Sequence, residues 1–368
     1  MENSLNYKYG LKRVVNASGR MSILGVSSPT DSVMDEMKFG GQNYVEMADL
    51  VDKSGAYIAN KINAEDAVVV NSASSGIALS IAGVITGGNE RKSQRLHNDK
   101  IDKNEVILFK GHNVQYGAPI ETMIYLGGGS VVEVGYANEG KNKHIKEAIN
   151  ENTAAILYVK SHHAVQKNMA SVEEVYEVAQ RHHIPLIVDA AAEEDLKKYT
   201  QCSDIAIFSG SKAIQGPTTG IVAGKNSLIE ATKVQLHFIG RSMKVGKEST
   251  FGLLQALDEY FEKVDNSKNE KQELQKLEAL NDYQGIKLEV VQDEAGREIY
   301  RTRVYVDPSI LNLNAESFAK KLKSADIAIY TRDYGVKQGF FDIDPRPLKR
   351  GEMEIIYKTI VQIVEGEI

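Results

Sequence analysis

Seven short apolar runs between residues 67 and 224 set the main limit on how this chain can fold. They read AVVV (67–70), EVILF (105–109), VVEV (131–134), AAILYV (154–159), PLIVDA (185–190), DIAIF (204–208) and TGIVAG (219–224). Most are apolar throughout rather than alternating, which is the pattern of strands buried on both faces. Between them lie stretches of helical period, such as SVEEVYEVAQRHH (171–183), where Val172, Val175, Val178 and Ala179 share a face. Ser171 with Glu174 three residues on predicts a capping box at its start. Strands alternating with helices predict an α/β layer fold with a mainly parallel seven-stranded sheet.

The pattern changes after about residue 225. A polar helical region near 248–280 leads to strands at 286–292 and 299–306, a helix near 315–324, a strand at 327–331 and a closing helix near 351–366. This predicts a smaller α+β C-terminal domain. The expected division is an N-terminal segment 1–60 packing on the site, a large domain 61–240 and a small domain 241–368.

The net charge of −6 argues against a nucleic-acid binder. One cysteine, Cys202, excludes an internal disulfide and fits a reducing compartment. The opening MENSLNYKYG lacks the succession of a signal peptide, and no apolar run approaches the roughly 18 residues of a membrane span. A soluble, cytoplasmic protein is expected.

Three features carry chemistry. The first is VVVNSASSGIALSIAGVI (68–85), a strand, a turn of small hydroxyl residues and a helix expected to begin near Gly76. Free N–H groups at such a turn form a phosphate cradle, with Ser74 and Ser75 as hydroxyl donors, or serve only as an N-cap. The second is LIVDAAAE (186–193), which puts Asp189 at the carboxyl end of a strand, where open α/β sheets bind ligands. That carboxylate can cap the next turn, bind a metal or pair with a protonated ring nitrogen. The third is Lys212 in FSGSKAIQGP, 23 residues after Asp189. Alone it reads as a surface lysine in a turn, or as an amine set to form a Schiff base. Taken together and in this order, the three match the needs of pyridoxal 5′-phosphate: an anion hole, an acid for the pyridine nitrogen and an amine for the aldehyde.

The segments RVVNASGRM (13–21), NSASSGIAL (71–79), IVDAAAEEDL (187–196), FSGSKAIQGPTTGIV (208–222) and FDIDPRPL (341–348) resemble the fold-type I pyridoxal phosphate enzymes related to selenocysteine synthase. Within that group the chain is similar to the D-glucosaminate-6-phosphate ammonia lyase branch. The resemblance implies an aspartate aminotransferase-like fold, a cytoplasmic homodimer or larger homo-oligomer, and a lyase that eliminates ammonia from an anionic amino sugar acid. It implies Lys212 as the Schiff-base lysine and α-carbon base, and Asp189 as partner of the ring nitrogen. Ser74, Ser75, Gly76 and Ser209 are implied at the cofactor phosphate, with Thr218 in QGPTTG reaching a neighbouring subunit's phosphate. His112 is implied to stack on the ring.

For the substrate the resemblance implies Arg346 on the α-carboxylate, with Arg332 and Arg241 as candidates for a second anion or for closing the site. Asn16, Ser18 and Arg20 are expected to fold over the site. RVVNASG stands at residue 13, so no tRNA-binding segment is expected ahead of it. The alternatives are a pyridoxal phosphate lyase or dehydratase of another hydroxy amino acid, or a protein that acts on or binds aminoacyl-tRNA. His162 or His163 is placed to reach the cofactor's phenolic oxygen or to relay protons, and His182 and His183 to face a helix dipole. No metal site is expected, because CxxC and HExxH are both absent.

Overall fold

The computed structural model describes residues 8–161, 163–262, 267–292 and 298–368. Its strands are β1 (Val14–Asn16), β2 (Asp66–Val70), β3 (Glu105–Phe109), β4 (Ser130–Val134), β5 (Thr153–Val159), β6 (Leu186–Asp189), β7 (Ile205–Ser209), β8 (Gly220–Gly224), β9 (Ile286–Gln292), β10 (Tyr300–Val306), β11 (Ala328–Tyr330) and β12 (Phe340–Ile343). The chain divides into two compact units, Ser28–Glu262 and a second in which residues up to Ser27 join those from 263 on.

In the large unit all seven expected runs are strands of one sheet, in the order β2-β8-β7-β6-β5-β3-β4. β8 runs antiparallel to β2 and β7, while every other neighbouring pair is parallel. The strands other than β8 therefore end at one edge, and the turns that follow them gather there. Both faces are covered. Ile107, Tyr158, Val188 and Phe208 pack in one core with residues of the helices Met47–Ile62 and Val172–His182. Val70, Leu108, Leu157, Ile187 and Ile207 pack in the other, against the helix Ala73–Thr86. The Ser171–Glu174 capping box forms as the sequence predicts.

The units are bounded elsewhere than at residues 60 and 240. The helix Asp31–Gln42 belongs to the large unit, pressed against the helix Lys247–Glu262. A methyl group on Gly40 would stand 2.8 Å from Phe251, and one on Gly252 would stand 2.4 Å from Met37. Tyr57 donates to Asp258 at 2.6 Å, and Lys61 pairs with it at 2.8 Å. Helices that close cannot be divided between domains.

In the second unit β9, β10 and β12 form an antiparallel sheet in the order β12-β10-β9, and β1 pairs in parallel with β11. Val15, Ala17, Phe318, Phe341 and Ile356 share its core. The strand β1 is three residues long, too short to show a period, so residues 14–16 were legible only as a motif. Among the described residues no helix is long and apolar enough to cross a membrane.

One glycine fixes where the helix Ala73–Thr86 begins. A methyl group on Gly220 of β8 would lie 2.5 Å from the Ser72 carbonyl carbon and 2.7 Å from the Ala73 nitrogen. Gly220→Ala is expected to force the helix start off the sheet at a cost of about 1–3 kcal/mol. Urea unfolding monitored by circular dichroism measures it as a lower midpoint at unchanged slope.

Candidate active site

Asp189 is the last residue of β6, and strand alternation places it on the Ile187 face, the side of the helix Ala73–Thr86. It is 9% exposed, and its Oδ1 accepts from the Ala191 N–H at 3.1 Å. Burial pushes its carboxyl up, opposed by the Ala191 N–H and by the charge of Lys212. One backbone bond is little compensation for a buried charge, so the group calls for a cation beside it.

Lys212 stands three residues past β7, half-buried, and among the described residues its amine makes no hydrogen bond or ion pair. The loop that carries it is closed by backbone bonds from Gly210 to Thr219 (2.9 Å) and from Gly216 to Gly210 (2.8 Å). Gly210 has no room for a side chain, since a methyl group would sit 2.1 Å from Thr219 Oγ1. Ser209, the last residue of β7, is buried with its hydroxyl 3.3 Å from that of Ser211. The small residues around Lys212 thus make a fixed mount for one flexible amine.

The helix starts three residues before the expected Gly76. Ser72 is its N-cap, and Ser75 completes a capping box by accepting from the Ser72 N–H at 3.2 Å, while its hydroxyl donates to the Ser72 carbonyl at 2.8 Å. Ser75 is therefore committed to the cap. Gly76 has another reason to be glycine. Its N–H already bonds Ser72 O, and its bare Cα faces the sheet, where a methyl group would stand 3.0 Å from Ile207 and from Val222. What remains for an anion are the Ala73 and Ser74 N–H groups, which no helical carbonyl can reach, and the Ser74 hydroxyl.

Tyr116, in the loop after β3, was missed by the sequence reading. Its hydroxyl is buried and, among the described residues, makes no hydrogen bond. The Ser74 side chain and the charge of Asp189 both act on it, so its tip lies among the groups just described. An orphaned buried hydroxyl is a mark of a missing partner. The first helical turn, the buried carboxylate and the amine of Lys212 together fit pyridoxal phosphate, a phosphate ester carrying a basic ring and an aldehyde.

His112 does not fit the role expected of it. It is 0% exposed; its Nδ1 accepts from Val159 N–H at 3.3 Å and its Nε2 bonds Val165 O at 3.1 Å. The ring packs edge-on against Phe109 and Tyr158. A ring with no exposed face has none to offer a cofactor. His163 is exposed, and His162 lies outside the described residues. Thr218 is exposed at the far side of the Lys212 loop, and Arg241 is exposed on the short 3-10 turn Ile239–Met243.

In the second unit four expected substrate residues come together. Arg346 grips the fully buried Asp344 through Nε (2.8 Å) and Nη2 (2.6 Å), and Arg301 shares that carboxylate at 3.1 Å. Burial alone would raise the Asp344 pKa, but the Arg346 and Arg301 guanidiniums outweigh it and hold it low. Arg332 donates from Nη1 to Ser18 O at 3.3 Å, while its buried Nε has no partner. Asn16 ties the turn by donating to Gly19 O at 2.7 Å and accepting from Ser18 N–H at 3.0 Å. Gly19, at φ +96°, lies between the charges: a methyl group there would be 3.5 Å from Arg332 Nη1 and 3.9 Å from Arg346 Nη2. Three guanidiniums around one carboxylate leave a net positive cluster suited to an anion.

Residues 48–329 match the family model described as SelA, L-seryl-tRNA selenium transferase. The chain is 43% identical to a D-glucosaminate-6-phosphate ammonia lyase of Salmonella typhimurium, covering 99% of each. It is 34% identical to a 5′-C-glycyluridine monooxygenase-decarboxylase of a Streptomyces species, covering 98% of this chain and 92% of that one. A solved D-glucosaminate-6-phosphate ammonia-lyase structure superposes with a TM-score of 0.95 at 42% identity, over 100% of this chain and 99% of that one. An aspartate aminotransferase from Thermotoga maritima shares the fold alone, with a TM-score of 0.51 at 16% identity over 99% of this chain and 94% of that one. The aspartate aminotransferase-like fold expected from the sequence is the one observed.

Burial pushes the His112 pKa down to about 4, with the Val165 carbonyl acting the other way and the charge of Lys160 adding to the fall. The unfolded chain, near 6.5, takes up this proton first. The neutral ring thus contributes its full stability above about pH 6.5, and loses it as pH falls towards 4. The change expected is roughly 3 kcal/mol. Thermal unfolding across that range should show the loss in the natural chain and a flatter profile in His112→Gln, whose amide can keep both hydrogen bonds.

Proposed function

The chain belongs to the family of the L-seryl-tRNA selenium transferases, and on that premise we propose that it is a pyridoxal 5′-phosphate-dependent ammonia lyase. The substrate proposed is D-glucosaminate 6-phosphate, converted to 2-keto-3-deoxygluconate 6-phosphate and ammonia. The observation that carries this reading is the grouping in the large unit of a buried strand-end carboxylate, an unbonded lysine on a rigid loop and an open helix N-terminus. It stands in a chain 43% identical to such a lyase along nearly its whole length.

The cofactor, when bound, supplies an electron sink for the charge left on the substrate's α-carbon. The protein supplies the rest. Ala73 and Ser74 N–H with Ser74 Oγ receive the phosphate, and Ser209 Oγ is a further donor. Asp189 holds a proton on the ring nitrogen, and in doing so gains the cation that its burial demands. Lys212 Nζ would hold the cofactor's aldehyde and, as a free amine, would accept the proton from the substrate's α-carbon. The β-hydroxyl then leaves as water, and hydrolysis of the resulting enamine in water yields the keto acid and ammonia. Arg346 and Arg332 receive the substrate's two anions, with Asn16 and Ser18 shaping the turn beside them. Arg241 and Thr218 are proposed to complete the site from exposed positions, Thr218 in a neighbouring copy.

The likeness to the Streptomyces monooxygenase-decarboxylase shows that chains of this length and identity are not tied to one reaction. The second reading is a pyridoxal phosphate lyase or dehydratase of another hydroxy amino acid. We also place the protein in the cytoplasm, supported by a buried, unpaired Cys202, and without a nucleic-acid partner, supported by its net charge of −6.

Purified protein supplied with pyridoxal phosphate is expected to release equal amounts of ammonia and keto acid from D-glucosaminate 6-phosphate. Lys212→Ala should abolish turnover, and borohydride should fix the vitamin to Lys212 in the natural chain alone. Turnover of a simple hydroxy amino acid with none of the sugar acid would move the assignment to the second reading.

We further propose a homo-oligomer. Met34, Phe39, Tyr44, Val45 and Met47 are exposed within one short stretch of the large unit, with Tyr44 fully accessible, and such a patch marks an interface. Light scattering should give twice the chain mass or more, and Tyr44→Asp with Phe39→Asp should lower it; a monomer at micromolar concentration would refute the assembly.

A further inference from the structure

We propose that Tyr116 is a hydrogen-bond donor to the cofactor phosphate, working beside Ser74 at the first turn of the helix Ala73–Thr86. The inference rests on the pyridoxal phosphate reading above and adds a residue to it.

Tyr116 is oriented against the ordinary habit of a tyrosine. A phenol on the rim of a protein keeps its ring inside and its hydroxyl in water. Here the residue as a whole is half-buried, while its hydroxyl oxygen is the sealed part and bonds to nothing. The residue packs against the core that contains Ile77 and Leu79 of the same helix. Its backbone leaves little freedom to swing away, because Tyr116 N–H bonds Ala118 O at 3.2 Å and Gln115 bridges to Pro119 across the loop. The inward position is therefore built, and the hydroxyl is held without a partner.

The neighbours identify the missing partner. Ser74 contributes both a helix-end N–H and a hydroxyl, and Tyr116 lies beside that hydroxyl. Burial pushes the phenol's pKa up, the Ser74 side chain acting the other way and the charge of Asp189 adding to the rise, so the phenol keeps its proton and can donate it. A cluster of donors at a helix N-terminus suits a multiply accepting anion such as a phosphate monoester.

A hydroxyl that waits for the cofactor has a signature that a packing tyrosine lacks. In the cofactor-free protein, Tyr116→Phe removes an unsatisfied buried group, so its melting temperature should equal or exceed that of the natural chain. With cofactor, the same change should weaken pyridoxal phosphate binding about 5- to 10-fold in absorbance titrations. It should also shift the phosphorus resonance of the bound phosphate. On a Ser74→Ala background the loss should be smaller, because the two donors share one acceptor.

Binding within twofold of the natural chain, with an unshifted resonance, would overturn the proposal. So would a cofactor-free Tyr116→Phe protein that melts lower, since the phenol would then be serving the fold. If the natural chain itself takes up no pyridoxal phosphate, the cofactor reading falls and this inference falls with it.

Discussion

The structure turns on a carboxylate that the fold buries without neutralising. Asp189 is placed by the parallel course of β6 between β5 and β7, which brings a strand end to the edge where neighbouring strands also end. Strand order thus determines the site's chemistry. With β8 inserted antiparallel between β2 and β7, the helix that follows β2 starts at the same edge as the loop that follows β7. An anion cradle, an acid and an amine from distant parts of the sequence meet because the sheet has only one such edge.

A second buried aspartate shows what neutralisation looks like in the same chain. Asp344 is at least as inaccessible as Asp189, yet two guanidiniums contact it, and the balance falls on the side of the ionised form. Asp189 has one backbone N–H and a lysine acting at a distance, and burial wins. The difference separates a carboxylate that completes a network from one that still needs a partner. Asp344 completes an arginine cluster; Asp189 is buried with one backbone N–H as its hydrogen-bond partner.

Much of this was legible in the sequence because it depends on period and on short-range chemistry. Seven apolar runs gave seven strands, and the Ser171–Glu174 spacing gave a cap. The position of Lys212 and Asp189 at strand ends followed from the strands themselves. The domain boundaries were not legible in that way. They depend on which helix faces approach closely enough to exclude a side chain, as at Gly40 and Gly252, and no local pattern records a partner 200 residues away. The start of the helix after β2 was misplaced for a related reason: three serines in five positions, from Ser72 to Gly76, offer several caps. Only the bond from Ser75 back to Ser72 chooses among them.

His112 and Tyr116 show where sequence reasoning runs out. They stand four residues apart in the loop after β3, and the histidine is the more conspicuous as chemistry. The fold reverses their parts. His112 turns into the core, where the main chain on two sides satisfies both nitrogens and holds the ring neutral. Tyr116 stays near the surface by its ring and sends its hydroxyl inward to a place with no protein partner. Residue type told that both could bond. What distinguishes a group available to a ligand is the balance of bonds already made, and that balance is set by the packing of the loop against β5 and the helix Ala73–Thr86. A polar atom that folding has enclosed and left unpaired is a stronger sign of function than a reactive side chain that folding has already satisfied.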